Sequence, residues 1–467
     1  MKNPDVFIKI PDHTIGVVPG QSMPMRIHIY GVKPQSAYAI AKFIDPVGRG
    51  CGSVRDTFEI TEENHVLELT WRPVFEGAPG IYWVEVLLDL YGTDQRVVTS
   101  RPFQVVYPGR PLPGAICPVE REGQIRCLHD FPEPDVEVLQ KAWDAADAAV
   151  REKANSDGSF GDPEPESGTT RPLVRHCSAA TMAYLIACRL WGEEQYGDLA
   201  RAGLDYIMSD QDESGAFRWW ISPNGELNDT DNFYTTGYGG LALTLGHEIL
   251  EHPGALDAAR RGAEWMFERP FTGNVNYDLF AGWFLPRIAR LTGEERYLDY
   301  MATRTEEAAF EGQNAGGAWP RHNFSFGYHG IIMLGMSTLY RELPDEHPFK
   351  AKLHIRMTMA TNFMASLIDK DGRCFVGWEY RQDEFFIDWR GRPRGPKALC
   401  HGTAAFAWRI LGQCLNLDDR ILNGLCHAAC DDLLNSEDAP VKDQLAQMQH
   451  LLAIANLILW LRERDSS

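Results

Sequence analysis

The amino-acid sequence predicts a mainly helical protein, an (α/α)6 toroid preceded by an N-terminal immunoglobulin-like β-sandwich. Three observations lead there. Apolar residues alternate with a period of two over residues 1–110, and the period becomes helical from residue 134 to the end. The helical part divides into twelve segments that come in pairs. A turn with a Gly, a small residue and an aromatic recurs between those pairs, as Asp157-Gly158-Ser159-Phe160, Ser214-Gly215-Ala216-Phe217, Gly316-Gly317-Ala318-Trp319 and Asp371-Gly372-Arg373-Cys374-Phe375.

In chain order, residues 6–10, 25–30, 38–44, 66–71, 81–90 and 95–106 read as short strands rich in Val, Ile, Phe and Tyr. Turn signals such as Pro19-Gly20 and Gly77-Ala78-Pro79-Gly80 separate them. Six or seven strands at this spacing fit a sandwich. It carries no nucleophile, metal cluster or Gly-rich phosphate loop, so residues 1–110 are expected to be an accessory domain. A Pro-rich stretch from Tyr107 to Gly114 leads into a linker over 111–133, and the toroid would occupy 134–467.

The twelve helices are expected to begin near Asp135, Leu173, Glu194, Thr235, Gly254, Tyr277, Glu294, Ser325, His347, Ala398, Asp418 and Val441. In each pair one helix is apolar on most sides and reads as buried; its partner is amphipathic and reads as half exposed. In such a ring the N-terminal ends of the inner helices surround one mouth. Arg175, His176, Tyr234, Tyr238, Asn276, Tyr328, His329, His401 and Gln449 would stand there, with Trp219, Trp220, Asp229, Asp231, Trp319, Trp378, Glu379 and Arg381 in the connecting loops. Indole faces for CH surfaces and polar groups for hydroxyls suit a carbohydrate.

Composition bounds the partners. A formal net charge of −20 argues against nucleic acid, which needs a basic face. Arg381, Arg390, Arg392, Arg394 and Lys397 nevertheless fall in one connection, so an acidic sugar is compatible with the acidic chain. No apolar run reaches the ~18 residues of a membrane helix. The N-terminal MKNPDVFIKIPDHT lacks a charged-then-apolar leader, which predicts a cytoplasmic protein. The ten cysteines are scattered with no CxxC pair and read as reduced core thiols.

The polar helix starts point to proton chemistry. Removing a proton α to a carboxylate, as at C5 of a uronic acid, needs the carboxylate neutralised by Asn, Gln, Arg or protonated His. It also needs a Tyr or His within reach of the proton. Asn276, Arg321, Tyr328, His329 and His401 are the expected catalytic residues. Here the sequence resembles the alginate lyases and related polysaccharide lyases built on the α/α toroid. Those carry an Asn-His-Ser-Tyr-Trp segment entering one inner helix, and an Arg followed seven positions later by Tyr-His entering the next. Arg321, Tyr328 and His329 keep that spacing, and Asn276 lies seven residues before Trp283. The resemblance implies that Asn276 neutralises the carboxylate, Arg321 binds it and Tyr328 moves a proton. Tyr277 stands where the family has His, so the base would come from elsewhere, from His329 or His401.

Other readings remain open at this level. Asp229 and Asp231 could be the acid and base of a glycoside hydrolase, with Glu379, Asp383 or Asp388 across the cavity. The same motif faintly resembles the protonating motif of class II terpene cyclases, although Asn232 departs from it. Cys400-His401-Gly402 resembles the zinc-binding end of lanthipeptide cyclases, whose Trp-Cys motif is absent here; no metal and no cofactor are expected. Uronate epimerisation shares the proton-abstraction step with elimination, and a toroid that only binds sugar needs no acid or base.

Overall fold

The computed structural model of the chain describes residues 5–9, 22–44, 50–71, 80–91, 96–105, 124–125, 127, 129–163, 170–217, 229–272, 274–310, 312–313, 317, 319, 326–366, 368, 372, 377–379, 390–392, 402–434 and 444–466. Apolar side chains gather in two separate buried clusters. One lies between strands β1 (Asp5–Lys9), β2 (Met23–Tyr30), β3 (Gln35–Ile44), β4 (Gly50–Ile60), β5 (Asn64–Trp71), β6 (Gly80–Leu90) and β7 (Arg96–Val105). These form a three-stranded sheet, β1-β2-β5, and a four-stranded sheet, β4-β3-β6-β7, antiparallel throughout. Met23, Met25, Ile27 and Ile29 of β2 and Ala37, Ala39, Ala41 and Phe43 of β3 point inward at alternate positions, as a half-buried pleated strand requires. Strand β4 was not legible as a strand. It is an edge strand whose side chains are mostly exposed, so almost no apolar alternation marks it.

The second cluster is helical. In chain order come α1 (Val136–Arg151), α2 (Val174–Trp191), α3 (Glu194–Ser209), α4 (Asp229–Leu250), α5 (Ala255–Phe267), α6 (Val275–Phe280), α7 (Leu285–Thr292), α8 (Arg296–Arg304), α9 (Phe326–Glu342), α10 (Pro348–Ser366), α11 (Gly402–Cys414), α12 (Asp419–Leu434) and α13 (Gln444–Asp465). Helix α2 packs on α4, α4 on α6, α6 on α9, α9 on α11, α11 on α13, and α13 returns to α2. The ring is closed. Helices α1, α3, α5, α8, α10 and α12 pack around it, so the chain alternates between outside and inside. Inner helices are buried on every side, as over residues 176–187 of α2 and 448–461 of α13. Outer helix α1 buries one stripe: Leu139, Ala142, Trp143, Ala146 and Val150. This is the expected (α/α)6 toroid.

Helices α6 and α7 share one inner position. The single helix expected from Tyr277 is broken by a 3-10 turn at Ala281–Trp283 and by Pro286, which lacks the N–H a continuing helix would use. Trp283 Nε1 donates to the Ile331 carbonyl at 2.9 Å and ties the break to α9. The outer position of α8 continues as a π-helical turn, Thr305–Phe310. Tyr30, at the end of β2, has its hydroxyl pushed up by burial and by the Glu307 carboxylate of that turn.

The recurring turn has a common physical basis. Gly158, Gly215, Gly317 and Gly372 all have φ between 76° and 96°. At each, a Cβ would lie within 2.4 Å of a carbonyl oxygen of the following outer helix: Ala202, Arg261, Met359 and Gly424. Only glycine meets both demands. Gln211 and Gln313 repeat a second device, each donating to its turn carbonyl (Gly215, 2.9 Å; Gly317, 3.0 Å) and to an outer-helix carbonyl (Ala258, 2.8 Å; Arg356, 3.0 Å). A Gly215→Ala substitution should therefore lose about 1–2 kcal/mol for the left-handed backbone and about 1–3 kcal/mol more for the clash. Gly192, at φ 68° with nothing within 4 Å of its would-be Cβ, should lose only the first part as Ala. Urea unfolding of the two variants checks the difference.

Candidate active site

The parallel inner helices bring their N-terminal parts to one mouth, and each contributes a polar side chain there. From α2 come Arg175 and His176, from α4 Tyr234 and Tyr238, from α6 Asn276 and Tyr277. From α9 comes Tyr328, from α11 Thr403 and from α13 Gln449. The spacing of Tyr234 and Tyr238 puts both on one face of α4. Their rings meet edge to face at 5.1 Å, and Tyr234 also lies 6.3 Å from Tyr277 and 4.8 Å from Phe280. The Arg175 guanidinium sits over the Tyr234 ring at 5.7 Å. Tyr328 is close enough to disfavour ionisation of Tyr234. Asn276 is buried in the first turn of α6.

A directed chain of hydrogen bonds runs through these groups. The backbone N–H of Thr403 can only donate, and it does so to Gln449 Oε1 at 3.1 Å. That fixes the amide, so Gln449 Nε2 donates to the Tyr238 hydroxyl at 2.7 Å. Tyr238 spends its own hydrogen on Tyr234, whose oxygen also accepts from Arg175. An oxygen that accepts twice, once from a cation, becomes a better proton donor. Burial pushes both phenols up, Tyr238 well above the usual range, and on Tyr234 the bonds from Arg175 and Tyr238 oppose that rise. Tyr238 is fully buried, whereas Tyr234 stays partly exposed at the mouth. Tyr234 is thus the end of the chain that a bound molecule can reach.

The histidines are different. His329 is fully buried; its Nε2 accepts the Trp319 backbone N–H at 3.1 Å, and its ring lies 5.2 Å from both Trp319 and Phe363. Cys177 and Thr236 do the same for the other turns, accepting from the N–H of Phe160 at 3.3 Å and of Phe217 at 3.1 Å. His329, expected as a proton carrier, thus holds the turn before its helix in the way a thiol and a hydroxyl do elsewhere. Trp319, expected in the binding loops, is buried beside it with Nε1 donating to the Ala309 carbonyl at 2.8 Å. His176 is buried, accepts from Arg175 Nε at 3.3 Å, and is pushed down to about 3 by burial first and the Arg175 charge second.

The loop residues are only partly within view. Asp229 and Asp231 occupy the first turn of α4. Trp378 and Glu379 lie on strand β8 (Gly377–Glu379), which pairs with β9 (Arg390–Arg392) between α10 and α11. Arg321, His401, Trp219, Trp220 and Arg381 lie outside the described residues. Next to the mouth, Asp278 and Arg304 form a buried ion pair at 2.7 Å, with Thr272 N–H donating to the same carboxylate oxygen at 2.8 Å. It pins the start of α6, and so Asn276, to the outer helix. Among the described residues no helix is long and apolar enough to cross a membrane.

No protein-family model and no curated protein matches the sequence. Solved structures do match. The chain is similar to a family 76 glycoside hydrolase from a bovine Bacteroides thetaiotaomicron strain, with a TM-score of 0.50 at 11% identity over 99% of this chain and 100% of that one. It is also similar to a variant of unsaturated glucuronyl hydrolase from Streptococcus agalactiae (TM-score 0.49, 13% identity, 75% of this chain and 98% of that one). A third is a sugar epimerase from a ruminal bacterium (TM-score 0.45, 15% identity, 63% of this chain and 85% of that one). The first likeness shows that the whole fold has been seen before, and at these identities it shows the fold alone.

Two buried histidines set an acid limit on stability. His450, on α13, is pushed down by burial to about 4, and His176 to about 3, both from 6.5. A histidine with a depressed folded value is neutral in the folded chain but takes a proton when unfolded below pH 6.5, so the stability it allows is complete above 6.5 and lost as the pH falls. Each should contribute a slope of about 1.4 kcal/mol per pH unit between 6.5 and its folded value. A His450→Leu variant should unfold in urea with a slope shallower by that amount between pH 6 and 4.5. An unchanged slope would place His450 in contact with water.

Proposed function

We propose that the protein is a carbohydrate-active enzyme that cleaves uronic-acid-containing oligosaccharides or polysaccharides by β-elimination at the amino-terminal mouth of its ring. The observation that carries this is the chain Thr403–Gln449–Tyr238–Tyr234–Arg175, which ends on a partly exposed phenol beside a cation. In this reading Arg175 and Asn276, joined by Arg321, which precedes α9 in the sequence, neutralise the uronate carboxylate so that charge can build up on it as the C5–H bond breaks. Tyr328, acting as a phenolate, takes that proton and becomes a neutral phenol. The C4–O bond then breaks and the leaving oxygen takes a proton from Tyr234, leaving a 4,5-unsaturated uronate on one fragment and a free hydroxyl on the other. Tyr234 starts neutral, as its burial favours, and Tyr238 reinforces it as the donor. The same groups could return the proton to the opposite face of C5, which would be epimerisation. The proposal carries with it a division into an accessory sandwich over 1–110, a linker over 111–133 and a catalytic ring over 134–467.

The second reading is hydrolysis, with Asp229 or Asp231 as the acid or base. Two acidic residues in the first turn of an inner helix favour it, and so does the likeness of the fold to a family 76 glycoside hydrolase. Incubation with a panel of uronic-acid oligosaccharides separates these readings. Elimination yields a conjugated product that absorbs in the ultraviolet; hydrolysis yields a new reducing end without that absorbance; a toroid that only binds sugar yields neither. Tyr234→Phe and Tyr328→Phe should each lower kcat by about 10²–10⁴-fold with an unchanged circular-dichroism spectrum. Full turnover in both would remove the tyrosines from the chemistry.

A further inference from the structure

The opposite end of the ring holds a cavity of about 1020 Å³ among the C-terminal ends of α2, α4, α7, α9, α11 and α13. Its lining is dominated by guanidinium groups. Arg189, Arg287, Arg290, Arg341 and Arg409 come from four inner helices of the ring, and the carboxylates among them are Glu248, Glu342 and Glu463. Each carboxylate is already shared by two arginines. Glu248 accepts from Arg287 at 2.7 Å and from Arg290. Glu342 accepts from Arg290 at 2.9 Å and from Arg341 at 2.8 Å. Glu463 accepts from Arg409 at 3.1 Å and lies 3.7 Å from Arg189. With Arg201, Glu193 and Glu194 the lining holds six arginines and five glutamates, one positive charge over, in a chain whose formal net charge is −20. Arg201 of the same lining donates to Asp198 at 3.1 Å.

The C-terminal ends of helices attract cations, which accounts for an arginine in the last turn of α2, α7 and α9. It does not account for Arg287, whose side chain is only 5% exposed and whose Nε has no hydrogen-bond partner. Burial above all, then repulsion from Arg341, Arg409 and Arg189 against the pull of Glu342, holds its guanidinium well below the usual range. A buried donor left without an acceptor and a buried charge facing three like charges are both unfavourable. An oxyanion bridging the guanidinium forks would relieve both at once. We propose that this carboxy-terminal cavity is a second binding site, separate from the active-site mouth, and that it takes a phosphate-bearing small molecule. The planar guanidinium forks match phosphate oxygens, and the volume leaves room for a nucleoside or sugar attached to the phosphate. Nothing in this assignment depends on the reaction at the other mouth.

Isothermal titration of the full chain with pyrophosphate, AMP and a hexose 6-phosphate, at ionic strength matched with sodium chloride, tests the site. At least one of the three should bind saturably at one site per chain and raise the unfolding temperature, and the preferred one tells whether a nucleotide or a sugar phosphate is the natural occupant. Arg189→Gln and Arg341→Gln remove partly exposed arginines whose loss leaves the carboxylates still paired, so both should fold. Each should weaken binding about tenfold or more, the effect of about 1.4 kcal/mol. Arg175→Gln, at the other mouth, should leave it unchanged. Absence of saturable binding by all three probes would overturn the proposal, and so would binding that survives both cavity variants or is lost in Arg175→Gln.

Discussion

A closed ring of parallel helices allows little freedom in where its polar residues go. Once α13 packs back on α2, every inner helix must start at one mouth and finish at the other. Side chains from Arg175 to Gln449, nearly three hundred residues apart in the chain, then become neighbours without any local sequence linking them. The helix dipoles align as well, leaving the starting mouth electropositive and the finishing mouth electronegative. Anionic substrate chemistry suits the first. Arginines collect at the second, six of them among five glutamates.

The turns that enter the ring are standardised, and that standardisation decides which polar residues remain for chemistry. In the three turns whose aromatic is described, its N–H finds an acceptor on the following inner helix, and the chain supplies Cys177, Thr236 and His329 in turn. A histidine used in this way is held by backbone. The tyrosines are held differently, by side-chain bonds that all point in one direction and finish at the open mouth. Function in this ring therefore separates from scaffolding by which groups the turn leaves unengaged.

Much of the architecture was legible because it depends on local patterns. The starts expected near Asp135, Leu173, Gly254 and His347 each fall within two residues of α1, α2, α5 and α10, since capping and periodicity act over single turns. The turn glycines were visible because a left-handed backbone allows almost nothing else. Helix α4 begins six residues before the expected Thr235, because the Asp-Thr-Asp-Asn segment that reads as a loop is the first turn of the helix. The bond that commits His329 to Trp319 was not legible, since a histidine at a helix start looks the same whether it faces a substrate or a backbone N–H. The arginine cavity was invisible for a related reason. One basic residue in the last turn of a helix is ordinary, and only closure of the ring turns several of them into a site.

The account rests on the claim that the tyrosine-lined mouth is where a saccharide sits. A crystal structure of the Tyr234→Phe variant with a uronic-acid disaccharide tests it most directly. The account predicts the carboxylate against Arg175 and Asn276, with the sugar ring beside Tyr328. A disaccharide bound instead among Arg287, Arg341 and Arg409, or on the sandwich, would contradict it.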